Sequence, residues 1–295
     1  MRWWHRTRPI GWLSLRRPTL EKEKWVTLDE ATRLLAEAGI ENPRAEARLF
    51  LAHVLDVSRD QTLTAIPTPR QAMEFETLVR RRAVREPFAY ITGRKEFWSL
   101  DFQVGPGVLV PRPDTETLIE EALRIAPDRN APLRIADLGA GSGAILIAAL
   151  KEFPNARGIG FESSREAFGY AQANAARLIG ERAEIRFADW NEAEGPFDLV
   201  FSNPPYIPSA DIESLEPDVS QFEPRPALDG GLDGLAAYGA LARLLPRLLS
   251  PGGHALLEIG LGQAQPMGTL FQGLEILRFA PDLSGIPRCV ILRKP

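Results

Sequence analysis

The chain has 295 residues, of which 44% are hydrophobic and 25% charged, and its formal net charge is −4. These values are typical of globular domains with a sizeable core, and the negative balance gives no reason to expect direct nucleic-acid binding. The single cysteine excludes an internal disulfide and fits a reducing, cytoplasmic location. Three scattered histidines predict no metal centre, and no apolar run approaches the ~20 residues of a membrane span.

Residues 1–24 differ in composition from the rest of the chain. They hold seven lysines or arginines against two glutamates. Their apolar patch is short and no small-residue cleavage site follows it, which argues against a secretory signal. We interpret this segment as a basic, disordered extension or the product of an upstream start codon. An arginine-rich organelle-targeting segment is the alternative, and it would change the cytoplasmic assignment.

Helix signals dominate residues 25–86. Thr27 and Thr68 are each followed three residues later by a Glu or Gln, the pattern of a capping box at a helix start. The predicted helices span 28–38, 43–55 and 69–84. The segment contains no catalytic cluster, so we interpret it as a small helical domain that positions a substrate.

The pattern changes at Pro87. Residues 96–104 alternate like a strand, Pro106-Gly107 is typical of a turn, and 108–110 continue extended. We therefore predict a turn at Pro106-Gly107 and a β-hairpin linker over 87–110.

The last predicted domain, 111–295, opens with Arg112, Asp114 and Glu116 ahead of a helix to about residue 125. These charged side chains could line a cleft. The two acids could equally be favoured by the positive end of the helix, and the residues alone leave both interpretations open.

A glycine turn follows the predicted strand 133–137 and precedes an apolar helix over 144–150. It consists of Gly139, Ala140, Gly141, Ser142 and Gly143. A strand, a glycine turn and a helix form half of a nucleotide-binding βαβ unit, in which the glycines let the backbone approach a ligand closely. The Gly-x-Gly-x-Gly spacing differs from that of dinucleotide binders and favours a ligand without a pyrophosphate.

Acidic and aromatic side chains end the next two predicted strands. Glu162 follows strand 158–161 and can accept both hydroxyls of a ribose. The alternative is a charge at the start of the next helix, which we predict to begin with a capping box at 163–166. Asp189 and Trp190 follow strand 183–187 and suit an adenine, the acid near the amino group and the indole against the ring. A surface tryptophan packed on a loop is the alternative.

Asn203-Pro204-Pro205-Tyr206 follows the buried strand 197–201. Two prolines make the turn stiff, and they leave the Asn203 oxygen and a nearby carbonyl as fixed acceptors at the end of the strand. Together these oxygens can take both protons of a planar NH2 group, while Tyr206 covers it from one side. A proline-rich turn with an asparagine cap is the alternative.

Strands alternate with helices from residue 133 onward, and 274–279 and 288–292 can pair as a terminal antiparallel hairpin. Before them come a helix over 236–249, a turn at 251–253 and a strand over 254–259. This order predicts an α/β fold with a seven-stranded, doubly wound, Rossmann-like sheet.

The combination of 137–143, Glu162, Asp189-Trp190 and 203–206 resembles the class I S-adenosylmethionine-dependent methyltransferases. The helical start and the stretches 88–98 and 111–116 narrow the resemblance to the peptide chain release factor N5-glutamine methyltransferases, the PrmC/HemK family. The resemblance covers about residues 25–294.

The resemblance implies methyl transfer from S-adenosyl-L-methionine to the glutamine of the Gly-Gly-Gln loop of class 1 release factors, in translation termination. It places the cofactor on 139–143, Glu162 and Trp190, and the glutamine on 203–206. Asp114 stands where the family usually has Glu, and Glu162 where Asp is common. Both departures keep the charge and change the reach of the side chain.

Other functions stay open at this point. A relative acting on a ribosomal-protein glutamine is the nearest alternative, and adenine-N6 methylation of nucleic acid is a more distant one. A non-catalytic cofactor-binding module and an NAD-type oxidoreductase are disfavoured by the intact 203–206 motif and by the glycine spacing, respectively.

Overall fold

A computed structural model describes residues 25–295, so the interpretation of 1–24 as a basic extension lies outside the described residues. The described chain begins with helices α1 (Leu28–Glu37), α2 (Pro43–Leu55) and α3 (Pro69–Ala83). The capping boxes at Thr27 and Thr68 are both confirmed, with the threonine side chain accepting a backbone N–H in each. These helices enclose their own apolar core, which includes Phe50 and Phe75.

A short helix α4 (Phe88–Thr92) leads into a hairpin of β1 (Arg94–Phe97) and β2 (Leu100–Gln103). The predicted hairpin and the predicted turn at Pro106-Gly107 are both confirmed, but the turn follows the hairpin and does not close it. The two strands reverse at Trp98-Ser99, where φ is 51° and 56°. Pro106-Gly107 forms a separate turn, in which the Val108 N–H donates to the Gly105 carbonyl at 3.3 Å. The two positive φ values at Trp98 and Ser99 suit the twist of a two-residue hairpin turn, although neither residue is the glycine or asparagine that usually marks one.

The remaining elements form a layered α/β unit. In chain order they are α5 (Glu116–Ile125), β3 (Arg134–Leu138), α6 (Ala144–Glu152), β4 (Arg157–Glu162), α7 (Arg165–Leu178), β5 (Ala183–Phe187), β6 (Phe197–Ser202), α8 (Pro217–Ser220), α9 (Ala236–Leu248), β7 (Leu249–Glu258), α10 (Ala264–Leu270), β8 (Glu275–Pro281) and β9 (Pro287–Arg293).

The sheet has seven strands in the order β5-β4-β3-β6-β7-β9-β8. The first five are parallel, and β9 runs antiparallel to both of its neighbours. The predicted doubly wound sheet with a terminal hairpin is confirmed. The order reverses between β3 and β6, the kind of switch point at which open α/β sheets bind ligands beyond the carboxyl ends of their strands.

Helices cover both faces of the sheet. Buried residues of α5, α6 and α7 pack with Ile135, Leu199 and Phe201 on one face. Residues of α9 and α10 pack with Val200 and Leu257 on the other. The alternation of Leu199, Val200 and Phe201 between the two cores shows why β6 is apolar throughout.

Strand β7 begins earlier than predicted. The expected turn at 251–253 lies inside Leu249–Glu258, where the pairing with β6 shifts from Phe197↔Leu249 to Leu199↔His254. The Pro-Gly-Gly segment is thus an irregularity within a strand. Within residues 25–295, no helix combines the length and the apolar character needed to cross a membrane.

Candidate active site

A cavity of about 320 Å³ opens beyond the carboxyl ends of β3, β4, β5 and β6. Residues from all four strand ends line it: Gly139, Ala140, Gly141, Ser142, Glu162, Asp189, Trp190, Asn203 and Pro205. The structure therefore brings together most of the site residues predicted from the sequence. Gly143, Pro204 and Tyr206 lie just outside the lining residues.

The glycine turn has the backbone shape that its sequence predicts. Gly139, Gly141 and Gly143 have φ values of 83°, 57° and 82°. A Cβ at Gly141 would meet no atom within 4 Å, whereas one at Gly143 would come within 3.0 Å of Ile147. Gly141 leaves open space for a ligand, whereas Gly143 must lack a side chain because Ile147 of α6 packs against it.

Glu162 is buried at the end of β4, with 9% of its surface exposed. Its Oε2 accepts the Gly141 N–H at 2.8 Å and its Oε1 accepts the Ser164 N–H at 2.7 Å. Burial raises the pKa of Glu162, and the backbone hydrogen bonds oppose that rise. The carboxylate thus holds the glycine turn against the start of α7 and keeps lone pairs for a ligand.

The capping box predicted at 163–166 is wrong. Helix α7 is capped by Ser164, whose hydroxyl accepts the Ala167 N–H. Glu162 already occupies the Ser164 N–H. The start of the helix therefore moves one residue along the chain.

Asp189 and Trp190 form the third wall of the cavity. Asp189 caps a short 3-10 turn by accepting the Asn191 N–H at 2.8 Å, and it remains exposed. Trp190 is half-buried, and a Cβ at Gly139 would stand 3.5 Å from its indole ring. The indole therefore lies flush with the glycine turn, where a planar ligand group could stack on it.

The fourth wall comes from 203–206. Asn203 is half-buried, and its Nδ2 donates to Thr115 Oγ1 at 3.4 Å. The Tyr206 hydroxyl donates to Glu258 Oε1 at 3.1 Å. Gln263 Nε2 donates to the Tyr206 carbonyl at 3.0 Å. Three side chains from two distant parts of the chain, around residue 115 and around residues 258–263, therefore hold this turn in place.

Comparison with known proteins decides the family. Residues 27–93 match the family described as PrmC N-terminal domain, and 130–259 match a methyltransferase domain family. The release factor glutamine methyltransferase of Rhodospirillum rubrum is 44% identical over 274 residues, or 90% of this chain and 84% of the relative. That of Caulobacter vibrioides is 45% identical, over 87% and 91%.

The chain belongs to the release factor glutamine methyltransferase family. The resemblance drawn from its motifs is confirmed. The solved structure of a release-factor-specific protein-(glutamine-N5) methyltransferase from Alicyclobacillus acidocaldarius is 30% identical, covers 65% of this chain and 99% of that chain, and has a TM-score of 0.40.

S-adenosylmethionine is the methyl donor that this membership indicates, and the cavity fits it. The open space above Gly141 admits a ligand against the backbone. Glu162 offers a carboxylate inside the cavity, and Trp190 offers an indole face beside it. The open space suits the polar tail of the cofactor, the carboxylate suits its ribose, and the indole face suits its adenine.

Arg112 lines the same cavity and pairs with Glu223 at 2.5 Å. Glu223 is almost fully buried, and burial raises its pKa while Arg112 opposes the rise. Glu116 accepts the Trp98 N–H at 2.7 Å, and Asp114 stands 3.6 Å from Arg288. Of the three charged residues left open by the sequence, Arg112 lines the cleft and Glu116 secures the hairpin turn.

Sequence reasoning missed Thr115 and Glu258, both buried beside 203–206. A signal for Glu258 was present, because a carboxylate stands among the apolar residues of 255–259, at the end of a strand buried in the sheet. Lone carboxylates in such positions are rarely left without a partner. Thr115 carried no comparable signal.

Proposed function

We propose that the chain transfers a methyl group from S-adenosylmethionine to the side-chain amide nitrogen, N5, of the glutamine in the Gly-Gly-Gln motif of class 1 peptide chain release factors. The observation that carries this proposal is the position of Asn203. Its side chain lines the same cavity as the glycine turn, so an amide held there would meet the methyl donor. Both relatives are named as release factor glutamine methyltransferases, which supports the proposed substrate.

The amide nitrogen of glutamine is a poor nucleophile because its lone pair is delocalised into the carbonyl. When bound, the cofactor supplies a methyl group already activated on a sulfonium. The chain's part is therefore to orient the amide, and well-oriented reactants can gain several kcal/mol of barrier reduction, about 7–11 at best.

Asn203 and Pro204 would supply that orientation. Because Asn203 donates through Nδ2 to Thr115, its Oδ1 is left to accept one amide N–H, and the Pro204 carbonyl would accept the other. Both oxygens stabilise the positive charge that develops on the nitrogen. The ring of Tyr206, held by Glu258, would limit tilting of the amide plane.

We further propose a division of labour along the chain. Residues 25–86 position the release factor, 87–110 form the linker, and 111–295 carry out the transfer. Arg82 and Arg85 of the helical part contact Asp218 at 2.8 Å and 2.5 Å. Asp218 lies in the segment that follows 203–206, so these ion pairs join the helical part to the substrate side of the site.

One assay tests the substrate. The chain is incubated with labelled S-adenosylmethionine and, separately, a class 1 release factor, ribosomal proteins and DNA, and the methylated residue is mapped. We expect label on the release factor alone, at the glutamine of Gly-Gly-Gln. Label on a ribosomal protein or DNA, with none on the release factor, would replace the proposal.

A second assay tests the division of labour. Asp218→Asn removes the charge that pairs with both arginines, and we expect a several-fold loss of kcat/KM on intact release factor. A short Gly-Gly-Gln peptide should be methylated as well as before. Arg80→Ala is the control, since in the described part of the chain Arg80 pairs only within α3, with Glu76 at 2.6 Å. Equal losses on protein and peptide would contradict the positioning role.

A further inference from the structure

Glu258 is the least explained carboxylate near the site. It ends β7, and 2% of its surface is exposed. Its Oε2 accepts the Thr115 hydroxyl at 2.5 Å, and its Oε1 accepts the Tyr206 hydroxyl at 3.1 Å. Each oxygen of this buried carboxylate thus accepts one hydroxyl. This pairing is needed, because an unpaired charge there would be strongly destabilising.

The protons in this cluster leave one consistent arrangement. A hydroxyl has a single proton, and Thr115 and Tyr206 each donate theirs to Glu258. The Thr115 oxygen can then only accept, and the group it accepts from is Asn203 Nδ2, at 3.4 Å. An asparagine amide that donates on one side presents its oxygen on the other. The charge on Glu258 therefore determines which way round the Asn203 amide stands.

Resting on the proposed function, we propose that Glu258 is a positioning residue that fixes the orientation of the Asn203 amide through Thr115 and fixes the ring of Tyr206 directly. One buried carboxylate thereby orders both of the side chains that would receive the substrate glutamine. If the amide turned over, Asn203 would present N–H groups to a substrate NH2 that also carries only donors.

The groups around Glu258 act on its charge in opposite directions. Burial raises the pKa of Glu258 and the charge of Asp114 adds to the rise, while the hydroxyls of Thr115 and Tyr206 and the charge of Arg288 oppose it. Arg288 is itself held by Asp282, at 3.1 Å. The two hydroxyls and Arg288 therefore favour the charged form that this role requires, against burial and Asp114.

Glu258→Gln is the sharpest test, since it keeps the shape and removes the charge. A glutamine amide can donate to Thr115, and Thr115 can then donate to Asn203 and turn that amide over. We expect single-turnover methylation of release factor at saturating substrates to slow ~10–100-fold, a part of the loss for a whole preorganised donor or acceptor. The Kd for S-adenosylmethionine and the Tm should stay near those of wild type. Glu275→Gln, an exposed change on β8, is the control.

Thr115 provides a second test that does not depend on Glu258→Gln folding. Thr115→Val removes the hydroxyl at constant shape and should slow the same step by a similar factor, while Thr115→Ser should restore it. Combining Thr115→Val with Glu258→Gln should cost far less than the product of the two losses, because both break one chain of hydrogen bonds.

The outcomes separate the two proposals. A wild-type chain that leaves release factor unmethylated contradicts the proposed function itself. If wild type is active, then wild-type rates in Thr115→Val or Glu258→Gln, or losses that multiply in the double variant, overturn the role of Glu258. A loss seen only as a lower Tm or a weaker Kd for the cofactor overturns it as well.

Discussion

The two halves of the site differ in the kind of contact that holds them together. On the half that we propose holds the cofactor, Glu162 accepts backbone N–H groups of Gly141 and Ser164, and the latter is only two residues away. On the substrate half, the contacts join side chains. Asn203 meets Thr115 across 88 residues and Thr115 meets Glu258 across 143. Main-chain groups are present whatever the side chains are, whereas each link on the substrate half depends on one residue type.

This difference has a consequence for variants. The substrate half should lose rate when a single side chain changes, with little effect on cofactor affinity. A single change on the cofactor half should weaken cofactor binding by a smaller factor, because several walls of the cavity share the contacts with the cofactor. The following predictions test that contrast, from the largest expected effect to the smallest.

Asn203→Ala should have the largest effect. It removes an acceptor for the substrate amide and leaves the two prolines in place. We expect the chemical step to slow by roughly 10²–10³, the loss typical of one preorganised polar group facing a developing charge. The measurement is single-turnover methylation of release factor at saturating S-adenosylmethionine, with the cofactor Kd taken by calorimetry. A wild-type rate would remove Asn203 from the mechanism.

Glu162→Ala should weaken S-adenosylmethionine binding by about 1–3 kcal/mol, since it leaves buried N–H groups and the ribose hydroxyls without a partner. Calorimetry measures the change, and Glu184→Ala, an exposed glutamate on β5, is the matched control. Unchanged affinity would return Glu162 to the role of a charge at the start of α7.

Trp190→Ala should weaken cofactor binding by ~1–3 kcal/mol if the indole stacks on adenine. The comparison that decides is with an analogue lacking the adenine, whose affinity should hardly change. Equal losses for both ligands would show that Trp190 supports the glycine turn beside it and does not stack on the base.

Asp137→Asn should change the pH dependence of stability and leave the substrate half untouched. Asp137 is fully buried, its Oδ1 has no hydrogen-bond partner among residues 25–295, and burial raises its pKa to about 7. A carboxyl whose folded pKa is raised is favourable below its unfolded pKa and loses that stability as pH rises towards the folded value. Wild type should therefore lose Tm between pH 5 and pH 8 relative to Asp137→Asn.

Thermal melting of both proteins at pH 5 and pH 8 measures the effect. The Tm of Asp137→Asn relative to that of wild type should be higher at pH 8 than at pH 5. If the Tm difference between the two proteins were the same at both pH values, Asp137 would be titrating as an ordinary exposed carboxyl.

Local patterns in the sequence determined much of the molecule. The two capping boxes, the glycine turn and the alternation of strands with helices depend on contacts within a few residues, so the helices of 25–86 and the seven-stranded sheet could be predicted from them. The residues 139–142, Glu162 and Trp190 were also found this way, because parallel strands deliver their carboxyl ends to one edge.

Only the tertiary structure decided the rest. The hairpin turn at Trp98-Ser99 has positive φ at both residues, and the Trp98 N–H is held by Glu116 from another element. Glu258 and Thr115 reach the substrate half from strands and turns far along the chain. Such contacts leave no periodic pattern in the sequence, because their energy arises from charge, burial and geometry that exist only after the chain has folded.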